Sequence, residues 1–284
     1  MDLETGVVLI DTVPARRQPR PRLTVSSGLR QAPSTWAPSD AKEQACIPYD
    51  ASAVVAEADW RPATDAELRI LCGSDPVSPA SSITVVRMPD NILDGLAQAR
   101  AALCSIRDLA RANDYFSRQA SLQLAFDYAY QLMARDGACY PSGVRVNQAG
   151  LPTVTIDSSS GHLVGLHVDN WINSPITQRD SSPGRIAMNL GYEDRHLIYV
   201  NLPLERVWQL SCAPGRAEEA LFEPDLISGF ARSCPAYPVA RLRIAPGEAY
   251  IAPTDNIIHD GSSAGMANWD LFFTVVGHPR LRPA

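Results

Sequence analysis

His167 and Asp169 stand two residues apart in the stretch GLHVDNW, residues 165–171, and His259 follows 92 residues later in NIIHDGSS. On an extended strand, side chains two apart leave the same face, so His167 and Asp169 project together. Two imidazoles and one carboxylate on one face of a ferrous ion leave the opposite face open for a cosubstrate and oxygen. These ligands also suit iron better than they suit a soft metal. A lone His-x-Asp arises often by chance, and a single histidine is more often a structural or surface group than a ligand. Context favours a ligand set, because both segments end short apolar runs with a succession of strands between them.

Those strands are read from short apolar runs separated by Gly, Pro, Asn and Asp turns. They fall at 153–156, 162–168, 185–190, 196–202, 207–210, 239–244, 249–252, 257–259 and 271–276, with a helical insert at 216–231. Ser158, Ser159, Ser160 and Gly161 read as a turn. There is no regular alternation of strand and helix, so a doubly wound sheet is unfavoured and an all-β sandwich or jelly roll is expected. Upstream, residues 7–10 suit a short strand. The run RRQPRPR at 16–22 reads as a solvated, extended arm. One helix is expected from an N-cap at Asp90 through Ile92, Leu96, Ala99, Leu103 and Ile106, and a second over 117–135 ending at Gly137. The organisation expected is one integrated domain. In it, residues 1–150 form an N-terminal arm and helical support region, and residues 151–284 form the catalytic core.

The chain has 284 residues, 45% of them hydrophobic, which is ample for a core without a stapling disulfide or metal. A net charge of -6 argues against a nucleic-acid partner. The acidic start and the absence of a run of roughly 20 apolar residues argue against a signal peptide or a membrane partner. The six cysteines are scattered and expected mostly buried and reduced, so a cytoplasmic setting is expected. No phosphate-binding glycine loop and no GxSxG elbow is present. The only lysine is Lys42, outside the barrel segment, which disfavours Schiff-base chemistry there.

HVDN, the Gly184-Arg185 pair, PGEAYIAP and NIIHDGSS together resemble the non-haem iron, 2-oxoglutarate-dependent oxygenases, over roughly residues 150–278. The resemblance implies a mostly β fold with flanking helices around a double-stranded β-helix (jelly roll, cupin-like) core. It implies Fe(II) held by His167, Asp169 and His259, with 2-oxoglutarate and O2 as cosubstrates. An Asp at the second ligand position implies hydroxylation or another oxidation. Such enzymes usually hold the far carboxylate of 2-oxoglutarate with an Arg or Lys on the last barrel strand. Here that window has no basic residue, and Arg280 lies too far on. Arg185 and then Arg195, each opening an expected strand, are the candidate partners, because arginine pairs with a buried carboxylate in a forked, charge-assisted geometry. Asn189 shares the face of Arg185 and is a third candidate, for contact with cosubstrate or substrate. Trp171 and Trp269 flank the ligand ends, where core packing is the expected role; His162 and His196 are expected to be structural. Ser262 and Ser263 are candidates for the site's mouth.

The composition, rich in Arg, Ala and Pro, resembles that of high-GC bacterial proteins, in which such oxygenases often tailor secondary metabolites. A small-molecule or peptide substrate is therefore expected, hydroxylated at an amino-acid side chain that is free or within a peptide natural product. Two rival readings stand beside it: an iron oxygenase that does not use 2-oxoglutarate, and a non-catalytic jelly-roll binding module.

Overall fold

A computed structural model describes residues 1–14, 21–36, 46–74, 78–133, 139–211 and 223–280. The first strands are β1 (Val8–Asp11), β2 (Leu23–Ser26), β3 (Leu29–Gln31), β4 (Thr35–Trp36), β5 (Ile47–Pro48), β6 (Val54–Ala56) and β7 (Arg61–Pro62). Helix α1 (Asp65–Leu71) follows, opened by a capping box between Thr64 and Glu67. After β8 (Ser82–Arg87) come α2 (Asp90–Gly95), α3 (Ala97–Leu103), α4 (Leu109–Ser117), α5 (Leu122–Leu132) and β9 (Cys139–Asn147). The rest of the chain gives β10 (Gly184–Asn189), β11 (Arg195–Tyr199), α6 (Leu204–Ser211), α7 (Glu223–Ser233), β12 (Val239–Ile244), β13 (Glu248–Ala252), β14 (His259–Ser262) and β15 (Asp270–Gly277).

Two sheets dominate. The larger runs β1-β8-β13-β10-β15-β9, and the smaller runs β14-β11-β12-β2-β7. Every pairing within them is antiparallel except β1 with β8. Residues alternate between faces along each strand. Val85, Ala187, Tyr250 and Ala252 of the larger sheet share one apolar cluster with Leu197, Tyr199, Leu242 and Ile244 of the smaller one. The intervening residues Ile186, Met188, Ile251, Leu271 and Phe273 belong to a second cluster with Ile92, Leu96, Leu103, Phe116 and Leu132 of α2 to α5. One face of the larger sheet therefore packs on the smaller sheet, and the other is covered by helices.

Several elements differ from the sequence reading. The first 150 residues supply more than an arm and helices, because β1, β8 and β9 join the larger sheet and β2 and β7 the smaller. Of the expected arm, residues 16–20 lie outside the described residues. Arg22 is buried against Asp11 and Glu248 instead of being solvated. Residues 207–210, read as a strand, lie in α6, which buries Leu204 and Val207 three apart on one side. The helix expected from Asp90 to Ile106 is two, α2 and α3. Pro89 is its cap and Asp90 its first residue. The expected 117–135 helix is shorter, and α4 precedes it. Of the five described cysteines, Cys46, Cys72 and Cys104 are exposed and only Cys234 is buried; none is in a disulfide. Cys212 and Lys42 lie outside the described residues. Among the described residues no helix is long and apolar enough to cross a membrane.

Candidate metal centre

The segment carrying His167 has few ladder bonds of its own and is fixed from both sides. Leu163 bridges to Tyr49 and Ile156. Gly165 turns the chain at φ +76, and a Cβ there would stand 2.6 Å from the carbonyl oxygen of Val54, so only glycine fits. The amide of Leu166 donates to that same carbonyl at 2.8 Å. Next, His167 and His259 exchange both backbone hydrogen bonds, at 2.9 and 2.8 Å. This close antiparallel pair puts the two rings on one face, with centroids 4.7 Å apart. The amide of Asp169 donates to the carbonyl of Thr254 at 3.0 Å, which brings its side chain to the same place.

The three side chains offer ligand atoms all within 4.8 Å of one another. His167 Nε2 lies 3.8 Å from Asp169 Oδ1, and His259 Nε2 lies 3.8 Å from Asp169 Oδ2. Each gap is within the span of two metal–ligand bonds of about 2.1 Å. Nδ1 of His167 is 3.1 Å from the carbonyl of Gly165, and Nδ1 of His259 is 3.2 Å from that of Ile257. A carbonyl only accepts, so each Nδ1 carries the proton and each Nε2 presents its lone pair to the centre. Nε2 of His259 is buried without a hydrogen-bond partner. A buried, unpaired imidazole nitrogen is costly unless an ion takes it. The residues present fit a divalent metal.

The electrostatics agree. Burial, followed by the neighbouring His167, pushes His259 down to about 3, so it is neutral and able to ligate. Burial opposes ionisation of Asp169, but Arg185, His259 and His167 outweigh it and hold the carboxyl below its ordinary value. Asp255, which accepts the amide of Trp171 at 3.1 Å, is pushed up to about 6 by burial and the charge of Asp169.

The three expected cosubstrate contacts fall out differently. Arg185 reaches the centre, with Nη2 2.7 Å from Asp169 Oδ2. Arg195 is fully buried, ion-paired to Asp270 at 3.0 Å and stacked 4.2 Å over the ring of Phe272, with Nη1 unpartnered. Asn189 is corrected: it is buried, donates to the carbonyls of Glu193 and Ile244, and accepts the amide of Gly191, so its amide has a backbone role. Arg280 donates to the carbonyl of Met133, which leaves it a structural role. Ser262 and Ser263 are buried and donate to the carbonyls of Leu151 and Gln148 rather than lining a mouth. Trp269 packs among the helices and donates to the carbonyl of Ile106. Trp171, in contrast, is 42% exposed with the Arg185 guanidinium 5.3 Å from its ring centre, and Ile172 beside it is 56% exposed. His196 sits on the smaller sheet, on the face turned away from the metal centre.

Sequence reasoning missed Arg179. It lies in the 3-10 turn Ile176–Ser181 and is buried. Its guanidinium donates to the carbonyls of Asp169 at 2.8 Å and Asp255 at 3.0 Å, tying the two ligand-bearing loops together. No local pattern marks it, because its partners are backbone atoms far along the chain.

No protein-family model matches the chain, and no curated protein matches it. Among solved structures it is similar to the Kdo hydroxylase KdoO, a non-heme Fe(II) alphaketoglutarate dependent dioxygenase. In complex with alphaketoglutarate and Fe(III), that protein is 14% identical over 71% of this chain and 80% of its own, with a TM-score of 0.36. Its apo structure gives the same values, and its cobalt(II) complex gives 15% and 0.33 over the same shares. At that distance the fold rests on the strand order, and the chemistry rests on His167, Asp169 and His259.

Proposed function

We propose that this chain is an iron(II)- and 2-oxoglutarate-dependent dioxygenase that hydroxylates an unactivated C–H bond. The observation that carries the reading is the convergence of His167 Nε2, His259 Nε2 and the Asp169 carboxylate, with both histidines oriented by backbone carbonyls. Two imidazoles and one carboxylate leave the remaining positions of an iron open. The strand order supports a double-stranded β-helix. From β9 onward the chain passes to the segment at His167, then through β10, β11, β12, β13, β14 and β15. Apart from the antiparallel β11–β12 pair within the smaller sheet, it alternates between the two sheets in the manner of a jelly roll, with β9-β15-β10-β13 on one side and His167-β14-β11-β12 on the other.

Bound ferrous iron would supply oxygen activation coupled to oxidation of 2-oxoglutarate. The chain's part is positioning and charge. His167 and His259 offer the Nε2 lone pairs, and Asp169 contributes one negative charge. Arg185, now paired with Asp169, becomes an unmatched cation once a divalent ion takes that carboxylate. Ion, Asp169 and Arg185 then carry two net positive charges, which match the two carboxylates of 2-oxoglutarate. Arg195 is less suited, because Asp270 already neutralises it. Trp171 and Ile172 form an exposed apolar rim beside Arg185, which supports an organic substrate with an apolar portion. We take that substrate to be an amino-acid side chain, free or in a peptide.

The test is anaerobic ferrous iron binding followed by oxygen uptake with and without 2-oxoglutarate. Wild type binds about one iron and consumes oxygen with succinate formation; His167→Ala and His259→Ala lose iron. Equal iron binding by wild type and His167→Ala defeats the site. Oxygen uptake indifferent to 2-oxoglutarate defeats the cosubstrate and favours an iron oxygenase of another kind.

A further inference from the structure

The outer face of the smaller sheet, turned away from the metal centre, carries a cavity of about 870 Å³ whose floor is His196, Arg241 and Arg243. The register explains the grouping. His196 lies opposite Arg243 across β11 and β12, and Arg241 lies opposite Thr24 across β12 and β2. All of them point away from Leu197, Leu242 and Ile244 of the core. A smaller cavity of about 100 Å³, lined in part by Trp36, Tyr49 and Trp60, adjoins it, and Arg241 lines both.

Arg241 is the one arginine of the larger cavity without a carboxylate partner among the described residues. Arg22 is matched by Asp11 and Glu248, and Arg243 faces Asp194 at 3.4 Å. The Glu193 carboxylate accepts the amides of Ala267 and Asn268. Arg241 has no carboxylate among the described residues. Its Nε donates to the Thr24 hydroxyl at 3.0 Å, and its guanidinium lies 4.4 Å over the ring of Trp60. A partly buried guanidinium beside an indole, with its two terminal nitrogens not taken by a carboxylate, can pair with a carboxylate or phosphate through its fork. His196 beside it is pushed down to about 3, by burial first and then by Arg241, Arg195 and Arg243, and its Nδ1 is buried without a partner.

We propose that this face is a second binding site, for an organic anion whose carboxylate or phosphate sits on Arg241 and whose flat, apolar portion lies toward Trp60 and Trp36. The site stands independently of the metal centre and of the chemistry assigned to it.

The experiment uses the full chain with nitrogen-15 indole labelling, titrated separately with inorganic phosphate and with benzoate. The Trp60 indole N–H signal, assigned through Trp60→Phe, moves in a saturable way. Arg241→Gln weakens the dissociation constant at least tenfold, while Arg241→Lys, which keeps charge without the fork, falls between. A response to phosphate alone marks a phosphate-bearing ligand, and a response to benzoate alone a carboxylate. No saturable movement of Trp60 with either probe overturns the proposal, as does an Arg241→Gln variant that binds like wild type. The wild-type titration decides the matter even if Arg241→Gln fails to fold.

Discussion

Arg185 Nη2 lies 2.7 Å from Asp169 Oδ2, on the same oxygen that faces His259 Nε2 across 3.8 Å. The arginine therefore occupies the side of the carboxylate that a metal would take. Removing it removes a competing cation. Arg185→Gln is expected to bind ferrous iron as tightly as wild type or more tightly, while its KM for 2-oxoglutarate rises at least tenfold. Arg185→Lys keeps the charge but not the fork and is expected to lie between. Iron titration beside succinate kinetics reads the two effects apart. If Arg185→Gln loses iron and keeps its KM, the arginine serves only to orient Asp169.

Gly165 controls whether His167 reaches its partner. Its φ of +76 and the 2.6 Å approach of any Cβ to the Val54 carbonyl oxygen combine a left-handed backbone with a main-chain clash. The backbone term alone costs about 1–2 kcal/mol. Gly165→Ala should lower unfolding stability by about 2 kcal/mol or more and weaken iron binding, because the Gly165 carbonyl also orients the His167 ring. Urea unfolding and iron titration of the same variant check both. An alanine variant as stable as wild type would mean that the turn relaxes freely.

Much of this site was legible because its signal is local. His167 and Asp169 lie two apart on extended chain, and β10, β12, β13 and β15 follow apolar runs bounded by turn residues. The remainder depends on long-range partners. The short run of β2 gains its meaning only from pairing with β12, where Leu23 meets Leu242. Arg179 bonds to the carbonyls of Asp169 and Asp255, which no side-chain pattern announces. Asn189 departs from its expected role for a related reason: it lies on the expected face, but the carbonyls of Glu193 and Ile244 take both of its N–H groups. In 207–210, Val207, Trp208 and Leu210 suit a strand or a helix equally, and their packing with α7 decides in favour of helix.

Arg195 and Asp270 form a fully buried ion pair at 3.0 Å, with Asn147 also donating to Asp270 at 3.0 Å. A buried pair contributes little against an apolar replacement, but breaking it strands a charge. Asp270→Asn is expected to cost about 3–5 kcal/mol of stability. The double replacement Arg195→Met with Asp270→Leu is expected to cost clearly less than that single change. Denaturant midpoints decide. If the double variant also keeps 2-oxoglutarate-dependent succinate formation, Arg195 is structural; if it folds and loses that dependence, Arg195 rather than Arg185 holds the cosubstrate.

His196 gives the fold a predictable acid limb. Burial and three nearby arginines lower it from an ordinary 6.5 to about 3 in the folded chain. Between those two values the unfolded chain takes up a proton at this residue and the folded chain does not. Stability therefore falls as pH drops below 6.5, and this contribution is complete near pH 3. Within that window one such group changes stability by about 1.4 kcal/mol per pH unit. His196→Gln removes the titrating group, so its stability between pH 6.5 and 5 should fall less steeply than that of wild type by up to this slope. His259, lowered to a similar value, stays in both proteins and cancels in the comparison. Urea unfolding at pH 7, 6 and 5 supplies the curves. Parallel curves for the two proteins would mean that His196 is solvated and titrates normally.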